Sequence, residues 1–332
     1  MKLNKAASPG KKGGAKNAEA SPPAKDGDQN APAAKKKKSN VPTVILIIVF
    51  IIGLGVLLYP TVSDWWNSFH SSKAIANYAE EVANLNEEEY DKLLSSADDY
   101  NRYIATKDNQ YSMPEEDLAR YNSELDFGGN GIIGYIEIDK IGVSLPIYHG
   151  TSDSVLQIAV GHLNWTSLPI GGKSTHAVLS GHRGLPSAKL FTNLDKMEVG
   201  DTFVIRVLDE IFTYEVDQIS IVLPQDTQEL RIVEGKDYVT LVTCTPYGIN
   251  THRLLVRGTR TENAKAALDI RITNDATRIE PLIIATCIMV PVLILLFVFV
   301  MINDRKRNKK ARAALEAKLS LDTTDPPKKD KE

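Results

Sequence analysis

Cys244 closes a β-branched run at 238–244 and is followed by a loop punctuated with Pro246 and Gly248, after which 251–258 resumes as a strand. A hairpin of this kind brings Cys244 close to Arg253. Because side chains alternate along a strand, His252 and Arg253 point to opposite sides. A thiol with an ordinary pKa of about 8.5 is only a few per cent ionised at neutral pH, and the thiolate is the nucleophile. Arg253 keeps its protons and cannot act as a base, but it can donate hydrogen bonds to an oxygen that gains charge during acyl transfer. The proton carrier must come from elsewhere, and histidine is the natural choice. Of six histidines, His70 lies next to an apolar span. His182, in Leu179-Ser180-Gly181-His182-Arg183-Gly184, stands at a strand end between glycines that allow close approach. His149, His162 and His176 remain open on the residues alone.

The elements around these residues are short β-rich runs separated by turn signals. The pattern predicts strands at 132–138, 143–147, 176–180, 202–208, 212–220, 238–244 and 253–257, which is seven or eight strands of a closed or nearly closed β-barrel. Upstream, Ile75, Tyr78, Val82, Leu85 and then Tyr90, Leu93, Leu94 follow a helical period. Residues 107–130, with Pro114 and Gly128-Gly129, read as a long irregular loop that could cover the thiol.

Two stretches, 41–59 and 281–302, carry no charged residue and are each long enough to cross a hydrocarbon core of roughly 30 Å. A soluble cytoplasmic enzyme is thereby excluded. The net charge of −3 is partitioned: residues 1–40 hold ten Lys and three acids, residues 303–332 hold ten basic and six acidic residues, and the stretch between the spans holds 19 basic and 33 acidic residues. Basic flanks stay in the cytoplasm, so both tails are expected inside and the acidic middle outside. The first span exceeds the usual 7 to 15 residues of a signal-peptide core, and no small-residue cleavage site follows Leu58. Trp65, Trp66 and Phe69 suit the outer interface. The basic runs are read as topology determinants that also attract anionic lipid; no nucleic-acid partner is expected. Cys287 falls in the second span, so Cys244 is the one external cysteine and a candidate reactive thiol.

The stretch Thr240-Leu241-Val242-Thr243-Cys244-Thr245-Pro246-Tyr247-Gly248, running on to His252-Arg253-Leu254-Leu255-Val256-Arg257-Gly258, resembles the signature of class C, pilus-assembling sortases. Leu145-Pro146-Ile147-Tyr148-His149-Gly150 and Thr175-His176 through Gly184-Leu185-Pro186 match the same family. The resemblance covers about 130–260. It implies a mainly β fold, an eight-stranded sortase-type barrel with N-terminal helices and a lid loop, flanked by two transmembrane helices. It further implies that Cys244 is the nucleophile, His182 the acid/base and Arg253 the stabiliser of substrate and oxyanion, with no cofactor and no metal. The implied donor is a pilin or surface protein bearing an LPXTG-like sorting signal, and the implied acceptor is a Lys amine of the next pilin. One departure stands out: the class commonly carries an Asp-Pro-aromatic lid element, which 107–130 lacks, so a lid here is expected to hold weakly.

The expected organisation is a disordered basic tail (1–40), a span (41–59), an extracellular helical segment (60–106), a candidate lid (107–130), the barrel (131–262), a linker (263–280), a second span (281–302) and a basic tail (303–332). Two rival functions are weighed: anchoring of surface proteins to a cell-wall precursor amine, and a non-catalytic tethered β-domain. Gly172-Lys173-Ser174 lacks the upstream glycine of a phosphate loop, since position 167 is Ser. Ser180 lacks the Gly-x-Ser-x-Gly frame, and no His-Glu-x-x-His zinc spacing occurs.

Overall fold

A computed structural model describes residues 41–263 and 281–322. Eight strands, β1 Ile132–Ile138, β2 Val143–His149, β3 Val160–His162, β4 Thr175–Ser180, β5 Thr202–Val207, β6 Glu210–Val222, β7 Asp237–Thr245 and β8 His252–Arg260, close into a barrel in the order β1-β2-β3-β4-β7-β8-β6-β5. Seven of them coincide with the expected runs to within a few residues. β3 was not expected, because three residues are too few to show a period. It lies parallel to β2 and antiparallel to β4, and so completes the ring.

β7 is buried on both faces, which is why it reads as one β-branched run rather than an alternation. Val239 and Leu241 face the main core inside the barrel, whereas Val242 belongs to a smaller cluster on the outer face with Val178, Leu230 and Leu255. That parity puts Cys244, two residues beyond Val242, on the outer face. β6 outruns β5, pairing with it only over Glu210–Glu215 and continuing along β8 to Val222.

Helix α1, Val41–Ala83, runs without a break from the first apolar run through Pro60 to Ala83. The expected boundary at 60 is therefore not an element boundary. Beyond the span its inward stripe passes from Asp64, Asn67 and Ser71 to Ile75, Tyr78 and Val82, a spacing of three and four residues along one face. Tyr78 accepts the Leu208 amide at 2.8 Å and donates to the Ile133 carbonyl at 2.9 Å. Helix α2, Glu87–Ala105, starts with a reciprocal capping box between Asn86 and Glu89, which satisfies two backbone donors.

The segment 107–130 is not irregular throughout, because it contains helix α3, Glu115–Ser123. Pro114 at its cap and Glu115, Glu116, Asp117 in its first turn are the responsible signals, since acidic side chains there face the positive end of the helix dipole. Tyr121 of α3 is fully buried, and its hydroxyl meets His162 and the Gly150 amide. A four-residue helix α4, Asp153–Leu156, precedes β3, and helix α5, Pro281–Asp322, contains the second apolar run and continues into basic sequence. The Lys-rich tail at 1–40, nearly all of the linker at 263–280 and the last ten residues fall outside the described residues.

Candidate active site

Cys244 and Arg253 are direct cross-strand partners in the β7–β8 ladder, and Thr245 faces His252 in the next pair. Side chains of a facing pair project to the same side of a sheet, so thiol and guanidinium share the outer face while His252 turns away. Arg253 is oriented by its own loop, donating from Nη1 to the carbonyls of Asn250 (3.3 Å) and His252 (3.1 Å). β4 runs parallel to β7 with Ser180 beside Val242. The register continues past the strand end, where Gly181 N donates to Val242 O at 3.1 Å and Thr243 Oγ1 donates to Gly181 O at 2.7 Å. His182 therefore stands two residues past the end of β4, at the register position beside Cys244. The three sequence-predicted residues are brought together at one end of β4, β7 and β8, each partly exposed.

Arg183 was missed by the sequence reading. Its side chain, only 9% exposed, links the residue after the histidine to the residue after the thiol: Nη2 pairs with Asp195 at 2.5 Å, Nη1 donates to Thr245 Oγ1 at 3.3 Å, and the guanidinium lies 5.8 Å from the Tyr247 ring centre. Gly184 passes under the same ring at φ +76°, where a Cβ would fall 2.9 Å from it. A cavity of about 420 Å³ opens beside this staple, lined by Arg183, Asp195, Ile221, Tyr247 and Leu254 among others.

On the outer face Leu163, Trp165 and Val222 pack against the small apolar cluster of Val178, Leu230, Val242 and Leu255. In the β6–β7 loop Glu229 accepts from Gln218 Nε2 and Ser220 Oγ, both at 2.6 Å, and Leu230 is buried. Further along, Arg257 forms a two-point pair with Asp217 at 2.9 Å and stacks 4.3 Å from the Tyr238 ring.

Residues 136–261 match the sortase domain family. Sortase C1 of Streptococcus agalactiae is 52% identical, superposes with a TM-score of 0.57, and is covered completely by 58% of this chain. The chain belongs to the sortase family. A second class C sortase, that of Clostridium perfringens solved with a C-terminal cell wall sorting motif, is 44% identical with a TM-score of 0.52, over 57% of this chain and 99% of its own. Sortase D of Bacillus subtilis is 32% identical over 130 residues, 38% of this chain and 63% of that protein, so the chain spans just under two thirds of that relative.

Within this sortase fold the other barrel histidines are structural. His162 is fully buried, its Nε2–H donating to Ser167 O at 2.7 Å and its Nδ1 facing the Tyr121 hydroxyl at 2.9 Å; burial pushes its pKa down to about 3. His176 donates to Arg231 O and faces Thr240 Oγ1, and burial lowers it to about 4. His149, held between the Gly131 and Glu124 carbonyls, is lowered by the same cause. His162 and His176 are neutral near pH 7, and the ring nitrogens of all three face protein partners.

Residues 107–113 are tied to the barrel by Tyr111. Tyr111 sets its ring edge-to-face against Trp165 at 4.9 Å, donates to Thr227 O at 3.2 Å and accepts from Arg231 Nε at 3.3 Å, while Gln110 Nε2 reaches Leu230 O at 3.5 Å. Lys107 holds the strap from behind through Asp117 at 2.6 Å and Ser112 O at 2.7 Å. The strap thus lies against Trp165 and the β6–β7 loop.

Proposed function

We propose that this chain is a membrane-anchored cysteine transpeptidase that cleaves LPXTG-like sorting signals and joins pilin subunits. The observation that carries the reading is the Cys244–Arg253 cross-strand pair with His182 two residues past the end of the adjacent strand. The Leu-Pro part of the signal lies on the outer face of β4 and β7. Cys244 Sγ attacks the Thr carbonyl, the Arg253 fork donates to the oxygen as it becomes negative, and His182 passes a proton to the departing Gly amine. The Lys amine of the next pilin then attacks the thioester, releasing the thiol and forming an isopeptide bond. No step calls for a metal or cofactor.

The anchor reading rests on Ile45–Ala83, a helix long and apolar enough to cross a membrane, and on Phe50 stacking on Phe297 at 4.8 Å. Both termini are then cytoplasmic and the barrel extracellular. Incubating the full chain with a pilin bearing the signal tests the function. A ladder of isopeptide-linked products is expected; a single shift appearing only with a cell-wall precursor would replace polymerisation by anchoring, and an inert protein would leave a tethered β-domain.

A further inference from the structure

We propose that the turn of α1 just beyond its apolar run is a positioning element for the catalytic loop: Asp64 and Asn67 hold the loop that carries His182. The proposal rests on His182 acting as the proton carrier. Asp64 Oδ1 accepts the Lys189 amide at 2.7 Å, its other oxygen lies 3.6 Å from Lys189 Nζ, and Asn67 Nδ2 donates to Ser187 O at 2.7 Å. The loop is closed on itself at its base, where Phe191 N donates to His182 O at 3.1 Å and Gly184 N to Thr192 Oγ1 at 3.1 Å. A displacement at its tip is therefore transmitted to the histidine's own backbone.

Two further features mark the tip, where Ala188, Leu190 and Phe191 are buried and Asp64 and Asn67 supply the polar contacts. A cavity of about 130 Å³ lies between α1 and the loop, bordered by Asp64, Asn67 and Ser71 on one side and by Lys189 and Leu190 on the other. Leu190 is buried with φ at 39°, in the left-handed region that costs a side-chain-bearing residue roughly 1 to 2 kcal/mol. Such a conformation persists only where its surroundings impose it, and the preceding amide is the one fixed by Asp64. Asp64 and Asn67 lie five and eight residues beyond Tyr59, about 7.5 and 12 Å along the helix at 1.5 Å per residue. The membrane anchor thus braces the catalytic loop directly, and a chain shortened past Asn67 has lost the brace.

The test uses the full chain in lipid nanodiscs with a fluorogenic sorting-signal peptide. The double variant Asp64→Ala, Asn67→Ala is expected to lose kcat by about tenfold, within the range for a misplaced catalytic group. The peptide KM and the thermal midpoint should stay as in the parent, and the pH–rate limb that depends on His182 should move. Asp64→Asn keeps the acceptor oxygen and is expected to recover most of the turnover, while Lys73→Ala on the same helix changes nothing. An unchanged kcat, a loss carried by KM, or equal losses in Asp64→Asn and Asp64→Ala would each overturn the brace. His182→Ala, run beside them, separates the two readings: an active His182→Ala removes the assignment of the histidine, whereas an inert one with a fully active double variant removes the brace alone.

Discussion

Cys244 needs its neighbours in fixed places, and at the residue scale Arg183 is the side chain that ties them. Arg183→Lys keeps the charge but loses the planar fork that reaches Asp195 and Thr245 together. It should lower kcat by about tenfold to a hundredfold, the range for a displaced reacting group, with peptide KM little changed; wild-type turnover would remove Arg183 from the positioning chain. A second residue-scale consequence follows from His162 and His176, whose folded pKa values lie near 3 and 4, below the unfolded value of about 6.5. Between those values the unfolded chain binds more protons than the folded one, so stability is full above about pH 6.5 and is lost as pH falls towards 4 and then 3. The thermal midpoint should drop across that window, and His176→Gln should flatten the profile between about pH 6.5 and 4; an equally steep profile in the variant would contradict it. The thiol and Arg253 could be set side by side in the sequence because a hairpin joins their strands, whereas His182 was singled out from the other histidines by the family resemblance. Arg183 was not, because its role depends on Asp195 and Thr245, 12 and 62 residues away.

The hairpin that carries Cys244 and Arg253 is the element most fully written in the sequence, since a β-branched run, a Pro-Gly loop and a second run admit only one local register. β3 escaped because three residues carry no period, and α3 escaped because Pro114 and the glycines obscured the acidic first turn that begins it. The lid shows the same limit: its anchor is Tyr111, and what makes Tyr111 an anchor is Trp165 and the β6–β7 loop, which are distant in sequence. An edge-to-face aromatic pair and one hydrogen bond each contribute about 1 kcal/mol, so Tyr111→Ala should raise the open fraction, and with it the alkylation rate of Cys244, by roughly tenfold or more. An unchanged rate would mean that the strap does not govern access to the thiol.

At the scale of the whole molecule, α1 carries the first apolar run and, further along, the residues that meet the loop after His182. The proposed topology predicts that protease added to intact protoplasts digests the 60–280 region and leaves both basic tails protected; cleavage of the Lys-rich tail from outside would contradict it and would put Cys244 in a reducing compartment. The closed barrel was foreseeable from strand count and turn spacing, but its strand order was not, because β4 pairs with β7 across 60 residues that no local pattern links. The central claim is that one thiol, placed between His182 and Arg253, forms an acyl-enzyme with a sorting signal. It is tested most directly by mass spectrometry of the full chain after brief exposure to a sorting-signal peptide. The account predicts a thioester on Cys244 carrying the peptide up to its Thr, absent in Cys244→Ala and nearly absent in His182→Ala, and reduced about tenfold to a thousandfold in Arg253→Ala, the range for loss of an oxyanion donor. Peptide cleavage by Cys244→Ala, or a full adduct in His182→Ala, would contradict it.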